Sequence, residues 1–203
     1  MISDAGAFPW VWAWERVTPR DVARTLRGLP APWWITGGWG LTLFLGRHVR
    51  RHDDVDVALL RRDQAALRDH LAGWDLHYAT ADRKLARWDG GFLEPPVARL
   101  WARRTRGAPW FCDVLLEDAR DADWLYRRDH RVSRPLSEVG QTTIDGLPIL
   151  SPEITLLYKL ARPTPKSKTD LLAVYPRLDA ASRDWLRQAL ATCHPDHPAL
   201  PLL

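Results

Sequence analysis

Two glycines between an apolar four-residue run and a helix-patterned one constrain this chain more than any other feature in it. Trp33 to Thr36 has the length and apolarity of a buried strand, Gly37 and Gly38 follow at once, and the next residues carry apolar side chains at helical spacing as far as Gly46. The reading is strand, glycine turn, helix. Such a turn aims backbone N–H groups and the positive end of a helix dipole outward, which makes a ready site for phosphate. A polar stretch follows from Arg47 to Asp54, and the run Val55 to Leu60 predicts a second strand with Asp54 and Asp56 at its start.

Residues at i and i+2 of a strand share a face, so Asp54 and Asp56 stand about 7 Å apart at the backbone. Like charges so placed raise each other's pKa unless a cation lies between them. A hard divalent ion such as Mg2+ suits the place, since it takes oxygen ligands and leaves positions for water and substrate phosphates. Two such ions about 3.5–4 Å apart would clamp the attacking and leaving oxygens of an in-line phosphoryl displacement. A third carboxylate is needed on a neighbouring strand. Asp113, in the strand-like run from Trp110 to Glu117, is the candidate both as ligand and as acceptor of a proton from an attacking hydroxyl. Glu117 shares its face farther along. Neither pair is specific alone; the sixteen residues from Gly38 to Asp54, with strand patterns on both sides, join them into one signal.

The remaining elements follow the same logic. Thr18 reads as an N-cap before Pro19, and a polar-apolar helix is expected after Leu60 with Ala65, Ala66, Leu67 and Leu71 on its buried side. Strands are expected near residues 74–80, 84–88, 98–104 and 110–117, with a shorter pair at 123–128 and 130–134. Beyond Leu150 the pattern is helical, with Ser151 as a cap, Pro152 at the first position and Lys159 in the apolar body, and two more helices before a proline-rich tail. The expected organisation is a mixed α and β domain over residues 1–150 and a helical one over 151–203.

Composition bounds the rest. The 203 residues are 46% apolar and 27% charged, which excludes a disordered chain, and no apolar run reaches the length of a membrane span. The opening residues lack a secretion signal, and two cysteines, Cys112 and Cys193, make no disulfide framework, so a cytoplasmic location is expected. The net charge of +4 permits a polyanionic partner, but the basic residues are scattered rather than striped, which argues against a nucleic-acid binder. Lysine is scarce, with Lys84, Lys159, Lys166 and Lys168 the whole set. Twelve tryptophans, six of them (Trp10, Trp12, Trp14, Trp33, Trp34, Trp39) in the first forty residues, are expected mainly as core bulk, with some lining a pocket.

Each functional reading has a plainer rival. Asp54 and Asp56 alone would be a solvated strand face, Asp113 could pair with an arginine, and Lys159 could extend into solvent. His52 is expected as a polar loop residue and Asp53 as solvent-facing. Arg47, Arg50 and Arg51 fit a phosphate rim or a solvated charge run equally. Cys193, His194 and His197 sit in the proline-rich tail, where a loop is the expected reading rather than a metal cluster.

The stretches from Ile35 to Arg47 and from Arg50 to Asp63 resemble the polymerase-β-like nucleotidyltransferases, whose pattern is an apolar residue, a glycine pair, a gap and Asp-apolar-Asp. Within that superfamily the chain is similar to the antibiotic-modifying branch of aminoglycoside 2''-adenylyltransferase-like and lincosamide nucleotidyltransferase-like proteins. Gly38 to Gly40, Gly46-Arg47 and Arg50 to Asp56 carry the likeness, which extends over Asp145 to Lys159 and Pro165 to Asp170. Ser167 stands where the branch has Asp. The resemblance implies an α+β fold, a mixed sheet with flanking helices followed by a small helical region. It implies transfer of a nucleoside monophosphate, with AMP first in view, from ATP or another NTP to a hydroxyl, with Mg2+ held by Asp54, Asp56 and Asp113. Gly37, Gly38 and Lys159 would hold the nucleotide. The implied acceptor is a small molecule such as an aminoglycoside or a lincosamide, for which Glu94, Glu117, Asp118, Asp121 and Asp123 are available acids. The alternatives are a protein-modifying, antitoxin-type transferase and a nucleotide-binding module without turnover.

Overall fold

The chain is described here by a computed structural model that covers residues 13–80, 82 and 84–203. The expectations for Trp10 and Trp12 lie outside the described residues. Helix α1 (Pro19–Thr25) opens on the Thr18 cap, whose hydroxyl accepts from the Asp21 N–H while the Asp21 carboxylate accepts from the Thr18 N–H. Strand β1 (Trp33–Thr36) runs straight into helix α2 (Gly37–Leu45), and β2 (Asp56–Leu60) follows the polar loop. Helix α3 (Gln64–His70) buries Gln64 and Leu67, with Leu71 just past its end, but leaves Ala65 exposed. Its inward face is set one position earlier than the alanine pair suggested, because Gln64 hydrogen-bonds the backbone of Leu93 and Arg61.

Strands β3 (Asp75–Ala79), β4 (Leu85–Arg87), β5 (Arg99–Arg103), β6 (Cys112–Arg120), β7 (Asp123–Leu125) and β8 (Ser133–Pro135) form where the alternation predicted them. Two further short strands, β9 (Gly140–Thr142) and β10 (Pro148–Leu150), escape the pattern, being three residues each around an Asp-Gly turn. Helices α4 (Pro152–Leu160), α5 (Pro165–Val174) and α6 (Ala180–Cys193) complete the chain. Ser151 precedes α4 without capping it; its hydroxyl donates to the Glu138 carbonyl. Ser167 is buried at the third position of α5, with its hydroxyl against the capping hydroxyl of Thr164, 2.9 Å away. The residue where the related pattern has an acid thus stands in the first turn of α5 and bonds to the capping Thr164.

The sheet is mixed, in the order β4-β3-β5-β6-β2-β1-β10-β9, with β7 and β8 continuing from the far end of β6. Strand β2 is antiparallel to β1 and parallel to β6. Alternation along β2 divides the apolar residues between two faces. Val57 and Leu59 join the cluster around Val22, Leu26 and Leu67, whereas Ala58 joins the cluster of Leu41, Ile154, Leu157 and Leu186. Asp56, two residues before Ala58, therefore lies on the face that carries α2 and α4.

Candidate active site

Register alone brings the acids together. Thr36 of β1 pairs with Asp56 of β2, and Asp56 pairs with Asp113 of β6, so one row across the sheet runs from the last residue before the glycines to both carboxylates. Asp54 precedes the strand proper. Carboxylate oxygens of Asp54, Asp56 and Asp113 all lie within 4.8 Å of one another. The acids abut the turn itself: a Cβ added to Gly37, whose φ is +62°, would fall 1.9 Å from Oδ2 of Asp56. At Gly38 it would fall 2.2 Å from Nδ1 of His52. Gly37 is thus required by close approach as well as by backbone conformation, and Gly38 by close approach alone.

Arg99 of β5 joins this cluster, and sequence reasoning did not single it out. Its guanidinium donates to Oδ2 of Asp113 and lies 3.9 Å from Oδ1 of Asp56. Asp113 is fully buried, and its other oxygen, Oδ1, has no hydrogen-bond partner. Three carboxylates face one guanidinium, which leaves an excess of two negative charges when all are ionised. A divalent cation fits that remainder, and a buried, unpartnered carboxylate oxygen fits a ligand position.

The electrostatics report the same excess. Burial, with the charges of Asp54 and Asp113 behind it, pushes Asp56 up to about 7. Burial and then Asp113 also raise Asp54. Without a cation, the folded chain holds a proton on Asp56 that the unfolded chain gives up near its free value of about 3.9. The stability this provides is full below that value and is lost as pH rises through about 7. A divalent ion held by the trio would compete with the proton, so its stabilising effect would grow over the same window. Thermal unfolding with EDTA and with Mg2+, from about pH 5 to about pH 8, is expected to show a widening gap; a gap that narrows or stays constant contradicts the assignment.

A second charged group stands beside the first. Lys159 of α4 contacts Asp170 of α5 at 3.0 Å, and Arg50 clasps the same carboxylate through Nε and an NH2 group, each at 2.9 Å. One acid answers two cations, leaving one positive charge over. The field of Lys159 reaches both Asp56 and His52, and that of Arg50 reaches Asp54 and Asp56, so this surplus borders the acidic trio. Helix α4 is fixed there by a 3.1 Å hydroxyl contact between Thr155 and Thr36 and by the Tyr158 hydroxyl, which donates to buried Glu117. Glu117 also accepts from the Trp124 indole and is no part of the trio.

His52 is held by Thr42 at 2.7 Å and Arg50 at 3.2 Å, and burial lowers it to about 4. Asp53 is exposed, as expected, between Arg51 and Lys166. An open cleft of about 560 Å³ adjoins the trio, lined by Trp14, Glu15, Arg16, Trp39, Arg51, His52, Asp53 and Asp54 among others. Among the described residues, the trio is the group with metal-ligand geometry; His197 instead bonds the Leu160 carbonyl.

Residues 20–87, which hold the glycine turn, Asp54 and Asp56, match the family model of aminoglycoside-2''-adenylyltransferase. None of the curated proteins matches in sequence. Among solved structures, ANT(2'')-Ia in complex with adenylyl-2''-tobramycin is 16% identical, with a TM-score of 0.56 over 85% of this chain and 94% of that one. A solution structure of ANT(2'')-Ia is 18% identical, with a TM-score of 0.54 over 87% and 90%. The lincosamide adenylyltransferase LnuA, lincomycin-bound, is 14% identical, with a TM-score of 0.53 over 80% and 98%. The fold is the one these adenylyltransferase structures share. The likeness to the antibiotic-modifying branch is thus carried by the motif-bearing segment of residues 20–87 and by the fold.

Three participants in this site differ in how far the sequence shows them. Arg99 is one among many arginines, Arg50 reads only as part of a phosphate rim or a solvated charge run, and Asp170 is seen only at the end of the Pro165 to Asp170 pattern. In each case pairing across the fold, rather than spacing along the chain, makes the residue matter. Among the described residues no helix is long and apolar enough to cross a membrane.

Proposed function

We propose that this nucleotidyltransferase moves AMP from ATP to a hydroxyl of a small molecule in a reaction dependent on Mg2+. The observation that carries the reading is the convergence of Asp54, Asp56 and Asp113 within 4.8 Å beside a glycine turn too tight for any side chain. In this proposal Asp54, Asp56 and Oδ1 of Asp113 hold the metal. When bound, Mg2+ would polarise the phosphoryl oxygen and offset the charge that develops in transfer. The N–H groups at Gly37 and Gly38 receive phosphate oxygens, and the surplus positive charge of Lys159 and Arg50 faces the rest of the triphosphate. Oδ1 of Asp113 carries two lone pairs, and the one not turned to the metal accepts the proton of the acceptor hydroxyl. The acceptor oxygen then bonds to the α-phosphorus as the bond to the pyrophosphate oxygen breaks. Arg99, by occupying Oδ2, fixes the Asp113 carboxyl while Oδ1 remains available.

The adenylyl-2''-tobramycin of the ANT(2'')-Ia structure and the lincomycin of the LnuA structure support a hydroxylated antibiotic as acceptor. We also propose the division near residue 150 into a nucleotidyltransferase part and a helical part, the latter presenting Lys159. A screen of hydroxylated antibiotics with ATP or GTP and Mg2+, read by pyrophosphate release, tests the function. Release with one class of acceptor is expected, with ATP preferred. Release only with a protein acceptor would transfer the chemistry to a protein-modifying role, and nucleotide binding without release under any condition would reject catalysis. Asp113→Asn is expected to depress turnover more than nucleotide affinity; equal losses would leave it a ligand and remove it as the base.

A further inference from the structure

The acids that the sequence offered for a polycationic acceptor are elsewhere or already occupied. Glu117 is sealed beneath α4, and Asp118 is bound by Arg61 at 2.7 Å and His130 at 3.2 Å. Asp121 and Asp123 lie past the far end of β6, whose opposite end holds Asp113. Neither these nor Glu94 lines the cleft beside Asp54. The cleft has three acids of its own, and two are answered. Glu15 faces Arg104 at 3.7 Å, and Asp53 sits 3.7 Å from both Arg51 and Lys166. The third, Asp54, belongs to the metal-holding trio. Arg16 and Arg51 line the same walls. A molecule with several ammonium groups would meet no unanswered carboxylate here and, in Arg16, a further guanidinium, a mismatch that disfavours it.

Two tryptophans offer what charge does not. Trp14 packs edge-on against Trp101 at 5.3 Å, and Trp39 is braced by His48 at 5.2 Å and His52 at 5.1 Å. Both line the cleft and are held in place by neighbouring rings, of which His52 is itself part of the cleft wall, so their aromatic surface is preset for an apolar ring face. A volume of about 560 Å³ is that of a site for a drug-sized molecule.

From this we infer that the acceptor is a hydroxylated ring compound carrying at most one positive charge, its apolar face against Trp14 and Trp39 and its reacting hydroxyl beside Asp54. The inference rests on the nucleotidyl-transfer reading and narrows its acceptor. Its test uses the full chain with Mg2+ and a non-hydrolysable ATP analogue, titrated with ring compounds graded by charge: neutral glycosides, lincomycin as a singly charged probe and tobramycin as a polycationic one. Tryptophan fluorescence and calorimetry report binding. At least one neutral or singly charged member is expected to bind at least tenfold more tightly than tobramycin. Trp14→Leu, and separately Trp39→Leu, should weaken that binding at least tenfold. Tighter binding of tobramycin, binding of no low-charge member, or unchanged affinity in both tryptophan variants would overturn the inference. Binding of the ATP analogue is measured in the same samples. If it is intact while the acceptor results go the wrong way, only the acceptor class falls; if the wild-type chain binds no analogue, the nucleotidyl-transfer reading falls instead.

Discussion

Asp56→Asn is expected to lower pyrophosphate release by a factor on the order of 10³, the scale at which preorganised charge in a transfer site is removed. The substitution keeps the shape of the side chain and deletes its charge. Asp56 is the central member of the trio, flanked by Asp113 in register on one side and by the glycine turn on the other. Its removal takes away a ligand atom and leaves Arg99 against fewer acids. The folded chain should not suffer, because two neighbouring carboxylates no longer repel it. The expected pattern is therefore a near-total loss of turnover with thermal stability in EDTA at about pH 8 equal to or above that of the parent. A loss of both together would mean that Asp56 is structural.

Gly37→Ala should be almost as damaging, and for a separable reason. Two costs coincide at this position. The backbone φ of +62° is one that residues with a Cβ adopt at a cost of roughly 1–2 kcal/mol. The added carbon would also collide with the Asp56 carboxylate at 1.9 Å. Gly46, at the other end of the same helix, has a φ of +66° but nothing within 4 Å of an added Cβ. Gly46→Ala therefore carries the conformational cost alone. Both variants are expected to lose stability from strain, Gly37→Ala the more because of the collision, but only Gly37→Ala should also lose pyrophosphate release, by at least a hundredfold, since moving the carboxylate disperses the trio. Equal activities in the two variants would mean that the Gly37 contact has no catalytic role.

The comparison of these glycines shows what the chain makes legible and what it does not. The strand, turn and helix around Gly37 follow from local apolar spacing, as do the strands bearing Asp56 and Asp113, because period and punctuation are properties of neighbouring residues. Strands β9 and β10 are too short to show a period, and their place beside β1 depends on partners far along the chain. The parallel register of Asp56 with Asp113 is likewise invisible to spacing, although the need for a third carboxylate pointed to the right strand. Arg99 could not be singled out, and the pairing of Arg50 with Asp170 could not be seen, since these contacts span 14 and 120 positions. Among the tryptophans, Trp101 and Trp124 are buried bulk as expected, whereas only the fold shows Trp14 and Trp39 lining a common cleft.

The most direct measurement is a calorimetric titration of Mg2+, with Mn2+ as a second probe, into the chain holding a non-hydrolysable ATP analogue. It is carried out on the parent and on the variant in which Asp54, Asp56 and Asp113 are all asparagine. Saturable binding with proton release in the parent, and none in the folded variant, is the expected result. Metal binding of the same strength in both would show that these three carboxylates are not where a divalent ion is held.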